Sequence, residues 1–391
     1  MLALGVVCTR SMAIDYSDLN SHHYVYEGKI GDKQVVMELY DTFGTGETKE
    51  DGVSGRYFFP LEHITRPLSG SRNESKIVLK FSHHVGEVNA ADEQTLILKG
   101  SFGDKLYGEF RENHAASVAV VFSYVYDFPS ESEVASASPF MKSIYNTLTY
   151  DALFQKGNEP KMVKQGKVGE YAIEWWQDPL THFSMFQVTS GYPVEQRNQL
   201  NETLRDIFWR TLSEMSICSN EKDLKVKIGL LSPNAVSYTL TGKFQCPDDS
   251  QSQIKVFTHT LSIRNSSAEF SLSDLLWLDD LPVPVVNDHY DNGDDNGEWD
   301  LQKRLPEWLK GQFTQLYPAK MTRTSGASGQ GCDYTATQTW ANTRWSLTPE
   351  GIYFKPLRPD GTDVCDDEGW EVVPWHIVNQ YPGRLQYVMV P

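Results

Sequence analysis

The chain has 391 residues, with 52 acidic against 35 basic side chains, a formal charge of −17, 40% apolar residues and 12% aromatic ones. That length is a soft prior for two or three domains, and that apolar share suffices for packed cores. The charge argues against a nucleic-acid partner, which needs concentrated Lys and Arg, and no run approaches the ~18 apolar residues of a membrane span.

Residues 1–13 hold a short apolar run leading to Ser11, Met12 and Ala13, with small residues, Ser11 and Ala13, where a signal peptidase wants them. Export to the periplasm or the extracellular space is the expectation. Residues 20–130 read as an all-β module. Val35, Met37 and Leu39 alternate, as do Ile77 and Leu79, Leu96 and Leu98, and Val118, Val120 and Phe122, the period of half-buried strands. Gly28, Gly55, Gly70, Gly100 and Gly108 punctuate these runs as turn signals would. Strands at about ten-residue spacing fit a barrel or sandwich. The pairs His22–His23 and His83–His84 place neighbours on opposite faces of a strand, so they read as surface or edge histidines and not as chelators.

The small polar run 130–138 reads as a linker closed by Pro139, and a second domain is placed at 139–391. There, residues 171–176 and 183–188 read as a strand pair joined near Asp178 and Pro179. A helix over 193–217 follows, with Leu200, Leu204, Ile207, Phe208, Leu212 and Met215 on one stripe. Residues 224–230, 235–244 and 254–263 read as three strands. Ser271 caps a short helix carrying Leu275, Leu276 and Trp277. A second helix over 299–317 carries Pro306, which predicts a kink or a late start. Trp345 and Leu347, then Ile352 and Phe354, form two strands around a turn at Pro349, Glu350 and Gly351. Val372 and Val373 add a short strand, capped by a helical turn with Trp375 and Tyr381. The class is α+β: a β-rich barrel or sandwich-like module, then an antiparallel sheet packed with two main helices.

The order of these elements, with the Leu-Ser-Asp-Leu run at 272–275 and the Leu-Thr-x-x-Gly-Ile-x-Phe run at 347–354, resembles an exported bacterial α+β domain family of unknown function. That family is found appended to a peptidoglycan deacetylase and as the outer domain of a lysozyme-sensing anti-sigma factor. The likeness covers residues 140–391. It departs from the family at residues 246–253, where a Gly-Gly-Ala-His-like turn is usual, so a ligand role tied to that turn does not carry over. The resemblance implies a contact function at the cell envelope.

Cys218, Cys246, Cys332 and Cys365 are an even set in a chain expected to be exported, which predicts two disulfides. Three connectivities are open. Cys218–Cys246 with Cys332–Cys365 is preferred, since each pair brackets a local group of strands. Asn292, Asp294, Asn296, Glu298 and Asp300 follow the first part of a calcium loop, but Lys303 stands where such a loop wants a bidentate Glu. The run reads first as a solvated acidic turn before a helix, with Ca2+ as the alternative. Glu174, Asp178 and His182 lie near Trp175 and Trp176, the mixture of carboxylates and aromatics from which sugar sites are built. Tryptophans in a strand are more often core. The resulting expectation is a monomeric, exported, non-catalytic binding module for a basic protein of lysozyme type or a peptidoglycan-type glycan. The alternatives are an envelope glycan hydrolase and a structural envelope component.

Overall fold

The computed structural model describes residues 23–42, 51–62, 64–73, 76–81, 94–112, 116–126, 128–145, 149–217, 219–245, 253–264, 269–278, 296–321, 333–357 and 369–385. The chain divides into two compact units. The first takes the chain up to Ala137 together with Tyr145–Lys156, and the second takes Ser138–Ile144 together with the chain from Gly157 onward. Among the described residues no helix is long and apolar enough to cross a membrane.

The first unit is a closed barrel of β1 His23–Ile30, β2 Lys33–Thr42, β3 Asp51–Phe58, β4 Arg66–Asn73, β5 Lys76–Phe81, β6 Gln94–Lys99, β7 Leu106–Glu112 and β8 Val118–Tyr124. Each strand runs antiparallel to the next, and β8 returns to β1 with Tyr26 opposite Tyr124 and Gly28 opposite Phe122. Closure leaves no open edge. The alternation read from the sequence becomes the barrel filling: Tyr26, Met37, Leu39, Leu79, Leu96, Leu98 and Phe122 are buried together. The glycines are the departure. Gly28, Gly55, Gly70 and Gly108 sit inside strands, not between them. A Cβ on Gly108 would stand 1.8 Å from the Ile97 carbonyl oxygen, so the missing side chain lets adjacent strands coil tightly. One mouth is covered by the loop after β6, where Phe102 stacks on Tyr24 at 4.9 Å and Arg72 lies over the Phe102 ring at 4.7 Å.

Residues 130–138 are not an extended linker. They form α1, Glu131–Ser136, closed by a capping box in which Ser130 Oγ accepts from the Glu133 N–H and Glu133 Oε2 accepts from the Ser130 N–H. Helix α2, Pro139–Tyr145, and α3, Thr149–Phe154, follow. Helix α3 lies against the outside of the barrel, where Tyr150 and Phe154 meet Phe58 edge-on at 5.2 and 5.0 Å.

The second unit holds β9 Lys161–Val168, β10 Tyr171–Gln177, β11 Ser184–Ser190, α4 Val194–Ile217, β12 Ser219–Leu231, β13 Ala235–Gln245 and β14 Gln253–Ser262. It continues with α5 Asn296–Leu316, α6 Pro318–Met321, β15 Thr343–Leu347, β16 Gly351–Pro356, β17 Val372–Pro374 and α7 Trp375–Val378. In place of the single expected sheet, the described residues form three three-stranded antiparallel ones, β11-β10-β9, β12-β13-β14 and β15-β16-β17. The reason shows where the second meets the third. Ser237 Oγ on β13 accepts from the Leu347 N–H at 2.9 Å, and a Cβ on Gly229 would come within 2.5 Å of the Leu347 carbonyl oxygen. Strand β15 therefore crosses the β12–β13 face closely and does not join its ladder. Helix α5 continues through Pro306 and buries Leu301, Leu305, Leu309 and Phe313 with Trp340, Ile352 and Phe354. The 3-10 turn Leu272–Asp274 holds the returning C-terminal segment, with Leu275 O accepting from the Gly383 N–H and Asp274 O from the Leu385 N–H.

Candidate functional site

Strands β10 and β11 carry the residues that the sequence singles out for chemistry. Asp178 directly follows β10, only 1% exposed, and its Oδ2 accepts from the Leu180 N–H, the Thr181 N–H and the Thr181 hydroxyl at 3.1, 2.7 and 2.8 Å. Its N–H donates to Phe183 O, and its carbonyl accepts from the His182 N–H. This carboxylate folds the hairpin loop. His182 has φ 60°, the left-handed conformation that ends such a loop, and its carbonyl accepts from the Gln177 side chain at 3.0 Å. Glu174 stands four residues earlier on β10 and accepts from Gln165 Nε2 at 3.1 Å. The two indoles are packing elements: Trp176 lies 5.1 Å from Phe140 and Trp175 lies 5.9 Å from Phe186.

Helix α4 seals one edge of this sheet. Asn201 Oδ1 accepts from the Val188 N–H and Asn201 Nδ2 donates to the Val188 carbonyl, both at 2.8 Å, while Arg197 donates to Thr189 O at 2.9 Å. Arg205 Nη1 donates to the Gln187 side chain at 3.0 Å. Burial against the sheet lowers the Arg205 pKa, and burial together with the Glu202 charge raises that of Asp206. The opposite edge is β9, which exposes Lys161, Met162, Val163, Lys164, Gln165 and Lys167.

Two polar groupings escaped the sequence reading. On the outer wall of the barrel Arg56 Nε pairs with Glu38 Oε2 at 2.6 Å, and its Nη1 with Asp151 Oδ1 at 3.1 Å. The guanidinium lies 4.1 Å from the Tyr150 ring, and Tyr40 donates its hydroxyl to Glu38 at 2.6 Å. His23 stands 3.5 Å from Glu38 and edge-on to Tyr40. Burial pushes the Glu38 carboxyl up, but Arg56 and the hydrogen bonds from His23, Tyr40 and Arg56 bring it below its ordinary value. In the second unit Tyr238, fully buried, stacks on His259 at 5.1 Å, and His259 Nδ1 lies 2.9 Å from Glu269 Oε1. Tyr238 OH has no hydrogen-bond partner among the described residues, and burial raises its pKa well above the usual phenol value. The sequence signal available for each grouping was a charged or polar residue at an alternating strand position.

Among the described residues no three His, Cys, Asp or Glu side chains gather as a metal site. Of the calcium candidates, Asn292 and Asp294 lie outside the described residues. Asn296, Glu298 and Asp300 have helical backbone at the start of α5. Residues 1–13, His22, His83, His84 and all four cysteines proposed for disulfides, Cys218, Cys246, Cys332 and Cys365, also lie outside the described residues. The chain matches no protein-family model and no curated protein.

Proposed function

We propose that this protein acts by contact, as an exported, non-catalytic binding module of the cell envelope whose partner is a basic protein of lysozyme type. The observation that carries the reading is Asp178. Of the carboxylates that the sequence offers to a hydrolase, Asp178 has its Oδ2 committed to three turn donors, in the loop four residues past Glu174. A surplus of 17 negative charges favours a cationic partner and speeds its encounter. The resemblance of residues 140–391 to the outer domain of a lysozyme-sensing factor points to the same partner class.

Calorimetric titration of the full chain with a lysozyme tests the proposal. Binding at low salt that weakens as salt rises is the expected outcome. Heat with soluble peptidoglycan fragments and none with lysozyme replaces the partner by a glycan. Release of peptidoglycan products that stops in Glu174→Gln replaces the module by a hydrolase. Silence in all three assays leaves a structural role.

A further inference from the structure

The sheet β11-β10-β9 has two edges, and they are treated differently. At β11 the outward N–H and C=O of Val188 are both taken by the Asn201 side chain. At β9 the outward groups follow from the hairpin that joins it to β10. Val168 pairs with Tyr171 across a two-residue loop, and Gly169 has φ 59°, the conformation for a first loop residue in such a turn. A two-residue loop makes its closing pair a hydrogen-bonded one, so Val168 and Gly166 bond inward to β10 while Lys167 and Gln165 face outward. Among the described residues β9 pairs with β10 alone, so these outward groups meet no third strand.

The side chains of β9 set the character of that edge. Met162 and Val163 are 46% and 52% exposed, and Lys161, Lys164 and Lys167 are exposed beside them. Three lysines on eight residues make a local positive strip on a chain of formal charge −17. Lysines on an open edge oppose pairing with a second copy, because like charges would face each other. The same lysines favour a strand of opposite sign.

We propose that β9 is a strand-addition site: an extended acidic segment of another protein pairs with its outward backbone between Lys164 and Lys167 and extends the sheet to four strands. The site goes beyond the lysozyme reading and needs a partner of opposite charge.

Fluorescence anisotropy of the full chain with a labelled dodecapeptide alternating Glu and Val tests it. Two peptide controls accompany it: the same peptide N-methylated along its central residues, and a version with Lys for Glu. The alternating Glu peptide is expected to bind saturably at low salt, and both controls are expected not to bind. Lys164→Glu combined with Lys167→Glu should weaken binding at least tenfold. Gln165→Pro should do the same, since proline removes an outward N–H and leaves the β10 ladder intact. Gln165→Ala, which keeps the amide, should bind as the parent does. Circular dichroism and thermal melting confirm that each variant is folded. No saturable binding of the Glu peptide overturns the proposal. So does binding that survives N-methylation or Gln165→Pro, which reduces it to ionic adsorption. Lysozyme affinity plays no part in these readouts, so this site and the proposed function fail separately.

Discussion

Glu38 and Arg56 point away from the barrel interior, where a strand residue usually meets water, yet α3 covers them. Glu38 is fully buried and its charge is answered by Arg56, Tyr40 and His23. Arg56→Ala should destabilise the first unit by roughly 3–5 kcal/mol in urea unfolding, because a buried carboxylate is left without its counter-charge. The pH dependence follows from the same pair. The folded-state pKa of Glu38 is depressed, so its contribution is complete above the ordinary value of 4.5 and is lost as pH falls through the lower folded value. Glu38→Gln should therefore flatten the loss of barrel stability below pH ~4.5, followed by circular dichroism. Asn201 is a second residue whose side chain substitutes for structure, here for a missing strand beside β11. Asn201→Leu removes two bonds to Val188 and should cost about 2 kcal/mol in the second unit, where Asn201→Gln restores none of the geometry.

The turn at Leu272–Asp274 shows how a short element positions a long-range contact. Asp274 Oδ2 accepts from the Ser271 N–H and hydroxyl at 2.9 and 3.0 Å, and Asp274 Oδ1 pairs with Arg384 at 2.6 Å. Asp274→Ala should cost about 2–3 kcal/mol and accelerate hydrogen exchange at the Gly383 and Leu385 amides, which the turn carbonyls now hold. Elements with one dry face were legible from sequence: the barrel strands by alternation, α4 by its stripe of Leu200, Leu204 and Phe208, and the β15–β16 hairpin by its turn. Strand β9 was not legible, because with nearly every side chain exposed no hydrophobic period exists to detect. Helix α1 was hidden by composition, although the Ser130 and Glu133 spacing of its capping box is visible in the chain. Division into three sheets was beyond reading, since it depends on side chains such as Ser237 and Asn201 that occupy places where strands would pair. The Arg56 network was only half legible: Glu38 and Arg56 are charged residues at alternating strand positions, but Asp151 stands 95 residues from Arg56.

The chain crosses between its units three times, after Ala137, Ile144 and Lys156, and this makes their cores separately testable. Helix α2 gives Phe140 to the second unit, where its ring lies 5.4 Å from Phe208 and its carbonyl accepts from Trp209 Nε1 at 3.0 Å. Helix α3, a few residues later, gives Tyr150 and Phe154 to the first, against Phe58. Each unit has its own buried aromatic cluster, and a cavity destabilises the core that contains it. Phe140→Ala should lower the urea midpoint of the second unit by an amount worth about 3–5 kcal/mol, and Phe58→Ala should do the same to the first. Tryptophan fluorescence follows only the second unit, because every tryptophan of the chain lies at or beyond Trp175. It should therefore register Phe140→Ala and be silent to Phe58→Ala, while far-ultraviolet circular dichroism registers both. A fluorescence midpoint that moves equally in the two variants would mean that both units unfold as one cooperative body.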